Sequence, residues 1–144
     1  MASLHLKPMT LDEFLAWAER QPQGRFELVH GQPVKMAAER VRHARAKMFA
    51  VNALGAAITR AGLPCEAFPD GMAVPIRGRA TREPDALVNC GPKLGEDVIL
   101  VHAPVIVVEV LSPSTAGTDA WDKVDDYLAV ASIHHYLIDR KSVV

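Results

Sequence analysis

The sequence has little excess charge of either sign and no long apolar run. Sixteen basic side chains stand against seventeen acidic ones in 144 residues, which gives a formal net charge of −1 at pH 7. A near-neutral chain has no long-range field that draws it onto nucleic acid or membranes, so any nucleic-acid contact must come from a local patch. The apolar stretches are far shorter than the roughly 20 residues that cross a bilayer, so we predict no membrane-spanning helix.

The first residues, MASLHLKPMT, have neither the charged start nor the apolar centre of a secretory signal peptide. We therefore expect a cytoplasmic protein. A chain of 144 residues can form one domain with a proper core and is short for two. We predict a single domain over residues 1–144.

Cysteine is scarce, and its placement excludes a cysteine-based metal site. Cys65 and Cys90 are far apart in apolar surroundings, with no CxxC pair and no histidine at metal-ligand spacing. We predict two buried free thiols. A disulfide between them is the alternative, and it would require an oxidising compartment.

The N-terminal part contains no repeat, so its organisation is read from periodicity. Thr10 and Glu13 form a capping box ahead of apolar residues at helical spacing, which predicts a short first helix. The stretch RFELVHGQPVKM has two short apolar runs around His30 and Gly31. This pattern predicts a β-hairpin.

A long helix is predicted from about residue 39 to residue 61, with Gly62 as its stop. Its first turns carry basic side chains that we place on the solvated surface: Arg40, Arg42, Arg45 and Lys47. Its apolar stripe is predicted to contain Val41, Ala44, Met48, Val51, Leu54 and Ile58.

Short β-type stretches follow the long helix. LPCEAF, GMAVPI and PDALVN are separated by proline, glycine and a basic turn with Arg77, Arg79 and Arg82. VIVVEVL reads as a buried strand that ends at Ser112 and Pro113, and HHYLID reads as a final strand. Between them we predict a helix from about residue 118, whose buried stripe contains Trp121, Val124, Leu128 and Ala131. A strand, helix and strand in this order normally join parallel strands in a right-handed crossover.

Glu109 is the one charged residue within the aliphatic strand VIVVEVL. An unpaired carboxylate there would cost several kcal/mol or take up a proton. If the strand that begins at Asp85 is a neighbour, two acids converge at one edge of the sheet. A divalent cation that prefers oxygen, Mg²⁺ or Mn²⁺, would relieve both their repulsion and their desolvation. The alternatives are a structural ion pair for Glu109 and a turn role for Asp85.

Lys123 and Tyr127 lie four residues apart on the helix that follows Glu109. A lysine at the rim of a buried face can reach back towards the strand end, orient a metal-bound water and stabilise negative charge on a phosphate. This combination indicates metal-assisted phosphodiester hydrolysis. The alternatives are a solvated lysine that pairs with a nearby acid of its own helix, and a core tyrosine.

The stretches EPDALVN, VIVVEVLSPST, DAWDKVDDYLAV and HHYLID, with RFELVHGQ upstream, resemble the Uma-two family of restriction-endonuclease-like proteins within the PD-(D/E)xK nuclease superfamily. The resemblance covers the chain from about Met9 onward. It implies an α/β fold with a restriction-endonuclease-like core of helix, three to four strands, helix and strand. An N-terminal helix and a β-hairpin are added to this core.

The resemblance also implies roles for individual residues. Asp85 and Glu109 match the two acidic metal ligands, and Glu27 matches an acid of the first hairpin that supports the site. The superfamily pattern expects a lysine at the position of Leu111, and the family instead has it on the next helix, at Lys123. His43 matches a histidine whose role is unassigned, and Gln32 departs from the family pattern. Asp85, Glu109, Lys123 and Glu27 are thus the predicted catalytic set.

The function that this resemblance implies is Mg²⁺- or Mn²⁺-dependent cleavage of DNA by a hydrolase. Candidate phosphate contacts are Arg42, Arg45, Arg77 and Arg79. Cleavage of both strands of a duplex would favour a symmetric homodimer. Two other functions stay open: a catalytically inactive module that binds nucleic acid or a partner, and an interaction domain in which Glu109 only pairs with a lysine.

Overall fold

The computed structural model describes residues 7–111 and 118–140, without the side chains of residues 118 and 119, so the predicted strand end at Ser112 and Pro113 lies outside the described residues. No helix of these two ranges is long and apolar enough to cross a membrane. In chain order the elements are α1 (Leu11–Glu19), β1 (Phe26–Val29), β2 (Gln32–Lys35), α2 (Val41–Ala61), β3 (Cys65–Pro69), β4 (Val74–Ile76), β5 (Ala80–Arg82), β6 (Ala86–Cys90), β7 (Pro104–Val110), α3 (Thr118–Leu128) and β8 (His135–Asp139).

The main sheet has the strand order β3-β6-β7-β8. β6 pairs antiparallel with β3 and β7, whereas β7 and β8 are parallel and joined through α3. The predicted parallel pairing of the strands on either side of α3 is therefore confirmed, and so is the α/β fold class. Ala86 pairs with Val108, which brings Asp85, directly before β6, beside Glu109 in β7. The core beneath the sheet is mainly apolar, and its buried residues include Val74, Ile76, Leu87, Val101, Val107 and Tyr127.

The two N-terminal elements form as predicted. The Thr10 hydroxyl accepts from the Glu13 backbone N–H at 3.2 Å, and the Glu13 carboxylate accepts from the Thr10 N–H at 2.9 Å, which completes the capping box. The hairpin turns at His30 and Gly31, whose φ values are 49° and 77°. Positive φ at both positions gives the turn a twist that suits a two-residue hairpin.

The prediction of a basic turn is wrong for Arg82, which lies in a strand that the sequence did not reveal. β5 pairs with β4 in a separate two-stranded sheet, and its Arg82 is only 1% exposed. The Arg82 Nε donates to Asp126 Oδ2 of α3 at 2.7 Å, and its Nη1 lies 3.6 Å from Glu27 Oε2 of β1. Acids from two distant elements compensate this buried charge, and distance along the chain hides them from pattern analysis.

The predicted apolar stripes are also wrong in part. Val41 and Met48 of α2 are 66% and 67% exposed, and Trp121 and Leu128 of α3 are both 70% exposed. Polar side chains take the inner positions near the site, so apolar character does not mark the buried face there. On α2 these are His43 and Lys47, and on α3 the inner position is taken by Tyr127.

The prediction of free thiols is wrong, because Cys65 and Cys90 form a disulfide. β3 and β6 pair so that the two cysteines stand opposite each other, with their Cα atoms 4.0 Å apart. Antiparallel pairing brings together residues that are 25 positions apart in sequence. The link fastens the edge strand β3 to the strand that Asp85 precedes.

Candidate active site

A cavity of about 890 Å³ lies between the β1–β2 hairpin, the first turns of α2 and the end of β7. The four residues of the predicted catalytic set all line it: Glu27, Asp85, Glu109 and Lys123. They come from four different parts of the chain, so the fold brings together what the sequence separates. The cavity is therefore the candidate active site.

Asp85 stands at the entry to β6 and is 8% exposed. Its backbone N–H donates to the Val108 carbonyl at 2.9 Å, and its Oδ2 accepts from the Val110 N–H at 2.6 Å. Its other oxygen, Oδ1, is 3.5 Å from the Lys47 ammonium. One oxygen is thus held by the backbone of the neighbouring strand, while the other faces a cation.

Glu109 is 3% exposed and shows the same division between its two oxygens. Its Oε1 accepts from the Tyr127 hydroxyl at 2.7 Å, and its Oε2 accepts from the Lys123 ammonium at 3.1 Å. The structural ion pair considered from the sequence is therefore present. It coexists with a second buried acid in the same cavity.

Burial raises the pKa of Glu109 to about 7, from an ordinary value of 4.5. The charge of Lys123 opposes this rise, whereas the charge of Asp85 adds to it. The Tyr127 hydroxyl also opposes it by donating to the carboxylate. The charge of a buried carboxylate is costly, so a cation near Glu109 favours the ionised form of Glu109.

Lys47 was expected on the solvated surface, but its ammonium lies among acids inside the cavity. The Nζ is 2.7 Å from Asp70 Oδ2 and 2.8 Å from Glu39 Oε2. Burial alone would lower the pKa of Lys47, but its hydrogen bonds to Asp70 and Glu39 outweigh that effect and raise the pKa. A signal for this was present, since Glu39, His43 and Lys47 recur every four residues along one helical face.

His43 joins the start of α2 to the end of β7. Its Nε2 lies 2.7 Å from the Val110 carbonyl oxygen, and its Nδ1 lies 2.5 Å from Glu39 Oε2. The two ring nitrogens thus face a carboxylate before α2 and a backbone carbonyl at the end of β7. His43 thereby fixes the helix against the same residue whose N–H holds Asp85.

Glu27 of β1 is buried, with 8% of its surface exposed. Its Oε1 accepts from the Glu83 backbone N–H at 2.9 Å, while Arg82 approaches its Oε2. Both contacts fasten the β1–β2 hairpin to the segment that leads into β6. Glu27 thus lines the cavity, while its carboxylate oxygens contact the segment of Arg82 and Glu83 that leads into β6.

The four arginines predicted to contact phosphate are exposed and divide into two groups. Arg42 lines the cavity at the first turn of α2, whereas Arg45 is one turn further along the helix and is not among the lining residues. Arg77 and Arg79 lie in the tight turn between β4 and β5, also away from the lining. Of the four arginines, Arg42 lines the cavity together with the acids, and the other three lie outside the lining.

The donor chemistry of the site fits a hard divalent ion. In the described ranges, no group of three or more His, Cys, Asp or Glu is arranged to hold a metal. Asp85 and Glu109 instead offer a pair of carboxylates, with one oxygen of each next to an ammonium. Mg²⁺ is commonly held by one or two carboxylates, with water and substrate phosphate completing its shell. The pair fits Mg²⁺ or Mn²⁺ better than Zn²⁺, which favours nitrogen and sulfur.

The cavity thus lies at a mixed sheet with one acid directly before β6, a second acid in the adjacent β7 and a lysine on the helix that connects β7 to β8. Residues 11–143 match the Uma2 family, whose description is "Putative restriction endonuclease", and the chain belongs to this family. The structure is similar to the crystal structure of a "putative nuclease belonging to DUF820" from Anabaena variabilis. The TM-score is 0.65 and the identity 21%, with 85% of this chain and 69% of that chain covered. At 21% identity this likeness concerns the fold alone. The search of curated proteins found no match.

Proposed function

We propose that this protein is a divalent-metal-dependent endonuclease that hydrolyses phosphodiester bonds in DNA. The observation that carries the proposal is the pair of buried carboxylates of Asp85, directly before β6, and Glu109, in the adjacent β7, which line one cavity beside lysine ammonium groups. Each acid has its own ammonium nearby, and a divalent ion between the two carboxylates would further offset their mutual repulsion. Family membership supports the same reaction class.

Asp85 and Glu109 would hold the Mg²⁺ or Mn²⁺ ion. When bound, the ion would activate a water and offset charge on the phosphate. The chain prepares the two acids for this task by fixing one oxygen of each. The backbone of Val110 holds Asp85, and the Tyr127 hydroxyl holds Glu109, so that Oδ1 and Oε2 remain on the side of the cations.

We assign to Lys123 the role of positioning the attacking water. Its ammonium already lies 3.1 Å from Glu109 Oε2, and its side chain is 12% exposed. A partly buried ammonium keeps its charge close to where the negative charge of the phosphate increases during attack. Glu27 supports this arrangement from the hairpin through Glu83 and Arg82.

The charge balance of the cavity supports an anionic substrate. Seven basic and six acidic side chains line it, so a divalent ion bound to the acids would make the lining clearly positive. Arg42 would then contact phosphate next to the scissile bond. Arg45, Arg77 and Arg79 would contact the backbone further along the duplex, and a homodimer would present two sites to its two strands.

The test combines thermal melting and cleavage of supercoiled plasmid DNA, each with and without Mn²⁺. The wild type should melt at a higher temperature and cut DNA only when the ion is present. Asp85→Asn and Glu109→Gln should abolish both effects, whereas Asp97→Asn, which changes an exposed loop acid, should keep both.

The two competing functions give other results. DNA binding without any response of melting to Mn²⁺ or Mg²⁺ would favour an inactive nucleic-acid-binding module. Absence of both would favour an interaction domain in which Glu109 serves only as the partner of Lys123.

A further inference from the structure

We infer that the exposed face of α2 binds an unpaired stretch of DNA beside the cavity, with the Phe49 ring as the stacking platform for one of its bases. The inference rests on the proposed function, because it specifies the form of the DNA that the same site receives. It follows from a stripe of arginines and one aromatic ring along α2.

The stripe consists of exposed residues that share one side of α2: Arg42, Arg45, Phe49 and Arg60. With about 3.6 residues per turn, their spacing keeps all four side chains within about 60° of one another around the helix axis. Arg42 lines the cavity, and Phe49 lies about 10 Å further along the axis, at about 1.5 Å per residue. The stripe therefore leads away from the candidate active site.

The charge of this face is positive. α2 contains no acid from Val41 to Ala61, although the chain as a whole has slightly more acids than bases. An acid three or four residues away on the same helix would partly neutralise Arg45 or Arg60, and the helix has none at these positions. A local group of arginines attracts the phosphates of nucleic acid. A polyanion is therefore the ligand that fits the charge of the stripe.

Phe49 specifies which form of DNA fits the stripe. Its side chain is 76% exposed, and the neighbouring Met48 is 67% exposed. A ring in water gains free energy when a base stacks on it, and only an unpaired base offers a face for this contact. Arginines interleaved with an aromatic ring are typical of surfaces that hold single strands. Arg45, one turn before Phe49, would contact the backbone where the duplex ends.

A second copy of the chain is the other candidate occupant of this face. A symmetric contact pairs a surface with itself, so two copies of α2 would bring arginines together without an acid of either helix to pair with them. Like charges brought together in an interface are costly. The stripe is therefore better suited to DNA than to its own copy.

The test measures the binding of fluorescent DNA hairpins by anisotropy in EDTA, where the proposed cleavage cannot proceed. One hairpin is blunt, and two others carry an unpaired extension of about ten nucleotides at the 3′ or the 5′ end. The wild type should bind one of the extended hairpins about 5- to 140-fold more tightly than the blunt one. This range corresponds to about 1–3 kcal/mol for one stacked base.

Three variants separate stacking from other effects. Phe49→Leu keeps an apolar side chain and removes the ring, so it should bind blunt and extended hairpins alike. Phe49→Trp should keep the preference, because an indole ring also stacks on a base. Leu128→Ala, which changes an exposed apolar residue of α3, should match the wild type.

The outcomes separate this inference from the proposed function. Equal binding of blunt and extended hairpins by the wild type, or a preference that Phe49→Leu retains, would overturn the inference and leave the nuclease proposal intact. Loss of a dimer in analytical ultracentrifugation by Phe49→Leu, with the DNA preference unchanged, would assign the face to a second copy. A wild type that binds no hairpin would also overturn the inference. The proposed function would fail with it only if Mn²⁺ changed neither melting nor plasmid cleavage.

Discussion

Replacement of Tyr127 by phenylalanine tests how the buried acid is held. The Tyr127 ring is 0% exposed, and its hydroxyl donates to Glu109 Oε1 at 2.7 Å. Phenylalanine keeps the ring in the core and removes only this donor. A hydrogen bond to a charged group is worth about 1.5–3 kcal/mol, and a neutral one about 1 kcal/mol. The free energy of unfolding should fall by the larger amount where Glu109 is ionised and by the smaller amount where it is protonated.

The direction of the pH dependence follows from the pKa of Glu109. This pKa is raised in the folded protein to about 7 from 4.5, so folding favours the protonated form. The contribution of Glu109 to stability is full below about pH 4.5 and is lost as pH rises through 7. Tyr127 opposes the rise in pKa, so its removal should steepen this loss. Tyr127→Phe should therefore cost more at pH 8 than at pH 5.

Urea unfolding of the wild type and Tyr127→Phe at pH 5, 6, 7 and 8 measures this difference. The same substitution in a Glu109→Gln background is the matched control, because the glutamine cannot ionise. There the cost should be about 1 kcal/mol at every pH. An equal cost of Tyr127→Phe at pH 5 and pH 8 in the otherwise wild-type protein would refute the reasoning.

The remaining predictions concern the frame of the site and its metal. Arg82→Met should lower the free energy of unfolding by about 3 kcal/mol in urea titrations, because it leaves acids of α3 and β1 without their buried partner. Arg79→Met, at an exposed turn position, should change it by less than about 0.5 kcal/mol. Gly31→Ala should cost more than about 1 kcal/mol in the same assay, since φ is 77° and the added Cβ would lie 2.6 Å from Pro8 Cβ; an unchanged midpoint would contradict that contact. Mn²⁺ affinity measured by calorimetry should fall as pH drops below 7, because Glu109 must lose its proton to bind, and a flat profile from pH 6 to pH 8 would speak against a shared buried site.

The parts of the fold that depend on local pattern could be predicted from the sequence. Thr10 and Glu13 fix the start of α1, and His30 with Gly31 fixes the hairpin turn. Glu109 could be identified as a candidate site residue because it is a charged residue among aliphatic neighbours in the sequence. Local contrast of this kind needs no knowledge of tertiary contacts.

The predictions that were wrong concern residues whose partners are far away in sequence. Lys47 and Arg82 carry charges that a pattern assigns to solvent, yet acids from other elements compensate them inside the structure. Met48 is exposed although it is apolar, because polar side chains occupy the inner side of α2 near the site. Only the register of the folded sheet shows that Cys65 faces Cys90.

Ion pairs and hydrogen bonds therefore determine which side chains of α2 are buried near the site. In the core beneath the sheet, the burial of apolar surface determines this. The periodicity of apolar residues in a sequence predicts only the apolar kind of buried face. Where an acid just before a helix, a histidine and a lysine recur at intervals of four, the helix should be examined for a buried polar face before that face is assigned to solvent.

The most direct test of the account is a crystal structure of the protein grown with Mn²⁺ and measured at a wavelength where manganese scatters anomalously. The account predicts one anomalous peak between the carboxylates of Asp85 and Glu109, with the Lys47 ammonium still bound to Asp70. An anomalous map with no peak between these two acids, in crystals where Mn²⁺ is at saturating concentration, would contradict the central claim.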